Sequence, residues 1–542
     1  MNRNTEAHFA QVPTININRS KFNRPHGHKT TMNTGELIPI YVDADILPGD
    51  TISMEMSSLI RMTTPIYPVM DNSHVDLYWF FVPNRLLWTH WREFWGENRE
   101  THWEQQVEYE IPQIKAPTGG WKKGTIADYM GIPTKINNIE VNALPFRAYA
   151  KIVNDWFIDE NLKDPCMINL DETTLTGTNE GDYVINTQLG AKPFMAAKPH
   201  DYFTSCLPSP QKGPSVALPL GGIAPVIGTD KITHAEGAQL ESRLLGKELE
   251  YYVGQQANYT GMQDANGTTL ITQAGPKGIG LGVDLSSSTA ATINQLRQAF
   301  AIQRFYEAQA RGGTRYIEFI KNIFGVTSPD ARQQRAEYLG GHRCRINIDQ
   351  VLQTSSTDTV SPQGNTAAYS LTIDHDKPFT FSASEHGILM CLAVIRTEHT
   401  YQQGLERMWS RKKWSDFYVP QFANLGEQAV LNKEIYAQGT EVDDEAFGYQ
   451  EAWAEYRYKP NRISGALRSN YEQSLDAWHY ADDYDSLPYL SSEWIDETTK
   501  NVDRTLAVTS ELENQYIADF YFDPIYTRPM PVYSVPGLLD HH

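Results

Sequence analysis

The sequence predicts a mainly β chain, two antiparallel sheets packed face to face, with helices confined to the connections. Three observations carry this. The run His74-Val75-Asp76-Leu77-Tyr78-Trp79-Phe80-Phe81-Val82-Pro83 is aromatic and β-branched, which suits a pleated surface. Its unbroken apolarity suits a strand covered on both sides, and a proline stops it. Gly387 to Ile395 is apolar on both faces in the same way. Strand patterning occurs early and late without βαβ alternation, which points to an antiparallel sandwich.

The elements follow in order. Residues 1–30 carry Arg3, Arg19, Lys21, Arg24 and Lys29 against Glu6 alone, without periodicity, so a flexible basic arm is expected. Residues 31–220 form the first part of the sandwich. Strands are expected at Ile38–Val42 and Thr51–Ile60, joined near Pro48-Gly49, which has type II turn chemistry. Asn84 is placed to cap a helix with Leu87, Trp91 and Trp95 on one face and Gly96 as its stop. Pro145 opens a second helix with Phe146, Tyr149, Val153 and Trp156 in a stripe. A turn-rich passage runs from Pro165 to Gly222.

Residues 221–288 are rich in Gly, Thr, Gln and Asn. So long a loop inside a compact domain is unusual, so an excursion is expected, packed on itself or against a neighbouring chain. Residues 289–341 read as three helices: one with Ile293, Leu296 and Phe300 ending at Gly312-Gly313, one from Tyr316 to Phe324, and one from Ser328-Pro329 to Gly340-Gly341. Residues 342–542 form the second part of the sandwich. Strands are expected at Cys344–Ile348, Ser370–Ile373, Phe379–Phe381 and Gly387–Ile395. Long aromatic, acidic loops follow, then an extended tail that Pro524, Pro529, Pro531 and Pro536 keep out of a central strand.

At 542 residues the chain exceeds one ordinary core, yet no linker divides it, so one sandwich swollen by insertions fits best. A net charge of −20 argues against nucleic acid as a whole-surface partner and leaves only local patches for it. Cys166, Cys206, Cys344 and Cys391 lack zinc-knuckle or redox spacing and are expected to be reduced and buried. The start has no apolar signal region, and Ile388–Ile395 is too short to span a bilayer. Folding in a cytosol without membrane insertion is therefore expected, and the sequons at Asn18, Asn258 and Asn266 read as chance matches.

Several stretches together carry a resemblance: Asp71 to Trp88, Ala143 to Tyr149, Lys198 to Phe203, Thr292 to Gly313, Phe447 to Leu467 and Leu475 to Tyr480. They are ordered along the chain from end to end, and the chain resembles the major capsid proteins of microviruses of the gokushovirus branch. The resemblance implies an eight-stranded antiparallel jelly roll and a small T=1 icosahedral shell around circular single-stranded DNA, with the protein in the virion and assembled in the host bacterial cytoplasm. It implies an internal scaffolding protein, a DNA pilot protein and a host surface receptor as partners, with residues 221–288 where the family's surface protrusion would lie.

No enzyme template is present: no phosphate-binding Gly-rich loop, no His-Glu-x-x-His and no Gly-x-Ser-x-Gly. No catalytic residue, cofactor or metal is expected. From Glu441 to Glu497 there are 14 acids against 4 Lys/Arg, half of the chain's net negative charge, which reads as a solvated face or a docking face for a basic neighbour. Asp443-Asp444-Glu445 and Asp482-Asp483-Asp485 offer oxygen ligands of the calcium type without EF-hand spacing. Abundant Trp and Asp leave a carbohydrate-active or carbohydrate-binding β-sandwich as the alternative. Trp409 to Phe417 interleaves cations with aromatics, as unpaired DNA requires. A patch between subunits has equal claim there. DNA-contact candidates are Arg19, Lys21, Arg24, Lys29, Arg411, Lys412, Lys413 and Trp414. Interface candidates are Trp88, Trp91, Trp453, Tyr456, Trp478 and Trp494, because large rings dominate interface energetics.

Overall fold

The computed structural model describes residues 18–98, 108–216, 293–355, 359 and 362–533, and the backbone of strands between 226 and 283. The long strands are β1 (Ser20–Asn23), β2 (His26–Met32), β3 (Glu36–Ile46), β4 (Thr51–Met62), β5 (Ser73–Pro83), β6 (Glu337–Arg345), β7 (Thr372–Ser382), β8 (Gly387–Thr397), β9 (Tyr516–Phe522) and β10 (Ile525–Arg528). They form two antiparallel sheets. The first runs β1 with β2, then β9 with β10, then β4, then β7. The second runs β6, β5, β8, β3, with Phe194–Met195 at its edge.

Register shows that two of these breaks are interruptions, not ends. Ser20 faces Arg528 and His26 faces Phe522, so β1 and β2 keep one alignment on β10 and β9. Met62 faces Tyr516 and Ile52 faces Tyr526 in the same way. Reading through the interruptions leaves four long strands per sheet. The chain passes from β2 to β3 to β4 to β5 by alternating sheets, as a jelly roll winds.

In β4 every second residue is buried, so Ile52, Met54, Met56, Ile60 and Met62 face inward. They meet Val75, Leu77, Trp79 and Phe81 from β5 and Cys391, Ala393 and Ile395 from β8 in one core. In the second sheet the inner strands β5 and β8 have no solvent face. Phe80, Val82, Ile388, Met390, Leu392 and Val394 point the other way and lie under α1 (Leu144–Ile152) and the segments around it. Tyr149 on α1 donates its hydroxyl to the Leu37 carbonyl at 2.6 Å, which anchors this cover to β3. A third cluster, around Phe203, Tyr401, Val430, Phe447 and Ile495, organises the loops after β8.

Several expected elements form as read. Pro145 lies in the first turn of α1, Gly49 takes a positive φ of 92° in the turn before β4, and Gly313 ends α2 (Ile293–Gly312). Tyr316–Phe319 is helical and continues as a π turn to Phe324.

Others do not. The basic arm is strand from Ser20 onward, held by backbone pairing to β9 and β10; residues 1–17 of that expectation lie outside the described residues. The helix expected from Asn84 splits into a 3-10 turn, Asn84–Leu86, and a separate helix, Trp91–Phe94, because the Thr89 N–H leaves the helical pattern to reach the Leu170 carbonyl. The third helix at 328–341 is a turn followed by β6. A Cβ at Gly340 would come within 2.5 Å of the Pro378 carbonyl, so this glycine serves close strand approach and not a helix end. The tail strand β10 lies between β1 and β4, possible because Pro524 and Pro529 flank it and none lies inside it. Cys344 is half-buried, whereas the other three cysteines are buried, and all four are free thiols.

The chain divides into two units, residues 1–210 with 310–542, and residues 211–309. In the second, five strands between Ile232 and Leu270 form an antiparallel meander, so the excursion expected at 221–288 has its own backbone pairing; its side chains lie outside the described residues.

Trp79 is fully buried between the sheets, edge-on to Phe522. Its truncation leaves a cavity that close-packed strands cannot collapse. Trp79→Ala is expected to destabilise the chain by about 3–5 kcal/mol, measured as a lower urea midpoint.

Candidate assembly and nucleic-acid surfaces

The acidic stretch divides: Glu441, Asp444, Glu445, Glu472, Asp485 and Glu493 are exposed as a solvated face would be, whereas Asp443, Asp482 and Glu497 are buried inside the chain. His399, just after β8, is buried between two of them. Its Nδ1 lies 3.1 Å from Asp482 Oδ2 and its Nε2 lies 2.9 Å from Glu497 Oε2. Asp482 also accepts hydrogen bonds from Asn501 (2.5 Å) and the Tyr484 hydroxyl (3.0 Å), with the Lys198 ammonium 3.8 Å away. Thr397 donates to the other Glu497 oxygen at 2.9 Å. Burial alone would lower the imidazole, but the facing Glu497 and Asp482 carboxylates outweigh it and push His399 up to about 10. Burial likewise opposes Asp482 ionising, and His399 and Lys198 more than reverse this, so its carboxyl is held well below the usual range.

Asp483 accepts from Gln403, Asp485 pairs at the surface with Lys500, Asp443 accepts from the Gln438 and Gly439 N–H groups, and Asp444 pairs with Lys433. Among the described residues no group of three or more acid, His or Cys side chains is placed to hold a metal. A buried acid elsewhere, Asp76 on β5, binds Arg343 from β6 and Arg396 from β8 and so ties three adjacent strands together.

The first set of DNA candidates lies on the outer strand of the first sheet. Arg19 donates to the Thr51 hydroxyl (2.6 Å) and the Thr527 carbonyl (2.9 Å). Arg24 pairs with Asp43 at 2.7 Å and lies over the Tyr526 ring. Lys29 makes an exposed pair with Asp519 at 3.2 Å, and Lys21 is exposed. In the second set, Arg411 is withdrawn: it pairs with Glu455 at 3.1 Å and sits 4.4 Å over Tyr456. Lys412 and Lys413 are exposed, with their backbone N–H groups both donating to Asp416 (2.8 Å each). Trp414 is exposed and stacks on Phe422.

The interface candidates separate by burial. Trp88 and Trp494 are buried in the chain's own core and loop clusters, and Trp453 is buried beside Tyr418 and Tyr456, so their rings are not available to a partner. Trp91 is half-buried beside Trp88, and Trp478 stacks on Tyr67 at 4.9 Å; only Tyr456 is exposed. Trp409 and Trp95, which are exposed, were not among these candidates. Nothing in the sequence marked them, since Trp91 stands four residues before Trp95 and Leu405 four before Trp409, as core spacing would have it. The Trp and Asp residues behind the carbohydrate alternative, such as Trp494 and Asp482, are likewise engaged in the interior.

The family described as "Capsid protein (F protein)" matches residues 10–538. The chain belongs to this phage capsid family. It is 45% identical to capsid protein VP1 of Spiroplasma virus 4, over 98% of this chain and 97% of the relative. It is 44% identical to capsid protein VP1 of Bdellovibrio phage phiMH2K (99% and 98%) and 40% identical to that of Chlamydia phage 1 (98% and 97%). These are microviruses of the gokushovirus branch, as the motif resemblance implied. Among the described residues of this capsid protein no helix is long and apolar enough to cross a membrane.

The buried histidine gives a pH dependence with a definite sign. A folded value raised to about 10 from 6.5 contributes stability that is fully present below pH 6.5 and lost as pH rises through 10. The urea midpoint of the soluble chain is expected to fall across that window, and His399→Gln is expected to start lower and flatten the fall.

Proposed function

We propose that this capsid protein is a non-enzymatic subunit that closes, by burying surface between identical copies, into a small T=1 icosahedral shell around circular single-stranded DNA. The end-to-end likeness to capsid proteins VP1 carries this reading. Closed symmetry limits growth once every subunit edge is covered, and obligate interfaces of roughly 2,000–5,000 Å² supply the driving force. Assembly takes place in the host bacterial cytoplasm with an internal scaffolding protein and a DNA pilot protein, and the 221–288 insertion serves host attachment. Electron microscopy of the purified protein tests the whole: closed particles support it, and a persistent monomer that turns over a polysaccharide refutes it.

For the packaged DNA, Lys21 and Lys29 on the outer strand are the phosphate contacts, Lys29 exchanging its weak, solvent-exposed pair with Asp519 for phosphate, with Arg19 and Arg24 holding that strand in place. Replacing Lys21 and Lys29 with Gln is expected to leave shell formation intact while lowering DNA retention in salt. The slope of log affinity against log salt should shrink by about 1.4, from roughly 0.7 per phosphate contact on single strands. An unchanged slope in a binding titration removes these two residues from the contact.

A further inference from the structure

The stretch at residues 408–425 exposes six large apolar side chains, Met408, Trp409, Trp414, Phe417, Tyr418 and Leu425, with Trp409 69% and Trp414 75% accessible. Six such side chains within eighteen residues exceed the single, scattered apolar residues normal for a surface, and clustering of this kind marks an interaction site. The stretch is also stiff. The Trp453 indole N–H donates to the Phe422 carbonyl at 3.0 Å, and its ring packs edge-on to Tyr418 at 5.8 Å. Trp453 holds this position in the left-handed region, at φ 66°, where a bulky residue is rare. Trp414 stacks on Phe422 with rings 25° apart. Aromatic anchors held this way lose little freedom on docking.

Charge decides the occupant. Polyanion binding draws mainly on cations free to meet phosphates. Here Arg411 is given to Glu455, Arg407 to Glu434 and Glu455, and both Lys459 and Arg462 to Glu406. That leaves Lys412 and Lys413 as the exposed cations within an apolar strip. Each copy of the chain carries a net −20, so a strip that is apolar and locally positive is where another acidic copy meets least repulsion.

We infer that residues 408–425 form a docking surface for a second copy of this chain, with Trp409 and Trp414 as the buried anchors. This rests on the self-assembly reading. Both tryptophans are exposed in the single chain, so a Trp409→Ala/Trp414→Ala double variant is expected to keep the parent's unfolding midpoint. Its yield of closed particles, read by sedimentation, is expected to fall at least roughly tenfold. Particles at the parent's yield overturn the docking assignment, whether or not they lose DNA. A parent chain that itself fails to close strikes the assembly reading instead.

Hydroxyl-radical footprinting of unsubstituted particles decides the matter even where the double variant fails to fold. Protection of Trp409 and Trp414 in empty as well as filled shells, relative to the soluble chain, is the expected result. Protection in filled shells alone transfers the surface to nucleic acid, and no protection in either removes it from any contact; both outcomes overturn the inference.

Discussion

Burial of the inner strands of the second sheet, β5 and β8, on both of their faces is the constraint around which this capsid protein is arranged. A sheet with one wet face tolerates alternation, but β5 and β8 must be apolar at nearly every position, and each face then needs a lid. One lid is the first sheet, which closes the sandwich. The other is α1 with its flanking loops, and this explains why so much of the chain between β5 and β6 is neither strand nor a passive connection. The charges that do enter these strands, Asp76 and Arg396, come as a pair completed by Arg343 from β6, because a buried Asp76 without partners would carry its full desolvation cost.

The same logic organises the acidic end. A run of carboxylates reads in sequence as a solvated or partner-facing surface, but folding turns several inward, Asp482 and Glu497 onto His399 and Lys198 and Glu455 onto Arg407. The loops after β8 have little regular backbone pairing, and buried ion pairs with a small aromatic cluster hold them in one arrangement. Rigid loops matter in a shell, where every copy must present the same edges.

The sandwich was legible because its signals are local: Trp79 and Phe80 point to opposite faces of one strand, and Met54 and Met56 keep a period of two. α1 was legible from Pro145 and its stripe. What escaped depends on distant partners. Nothing local distinguishes Gly340-Gly341 as the site of close strand approach from the same pair as a helix stop, since the deciding atom is the Pro378 carbonyl. Trp88 and Trp409 are the same residue type, and only the covering segments make the first core and the second surface. The free or spent state of Arg411 was hidden for the same reason, because Glu455 lies 44 positions away.

The first and last long strands are immediate neighbours, with Ser20 facing Arg528 and His26 facing Phe522, and the latter half of the pair fills the slot beside β4. A nascent polypeptide still on the ribosome short of that final strand has a gap within its first sheet, and its amino-terminal segment lacks the strand it pairs with. Only finished molecules can therefore present sound edges to one another, so the topology itself screens truncated products from entering a growing shell.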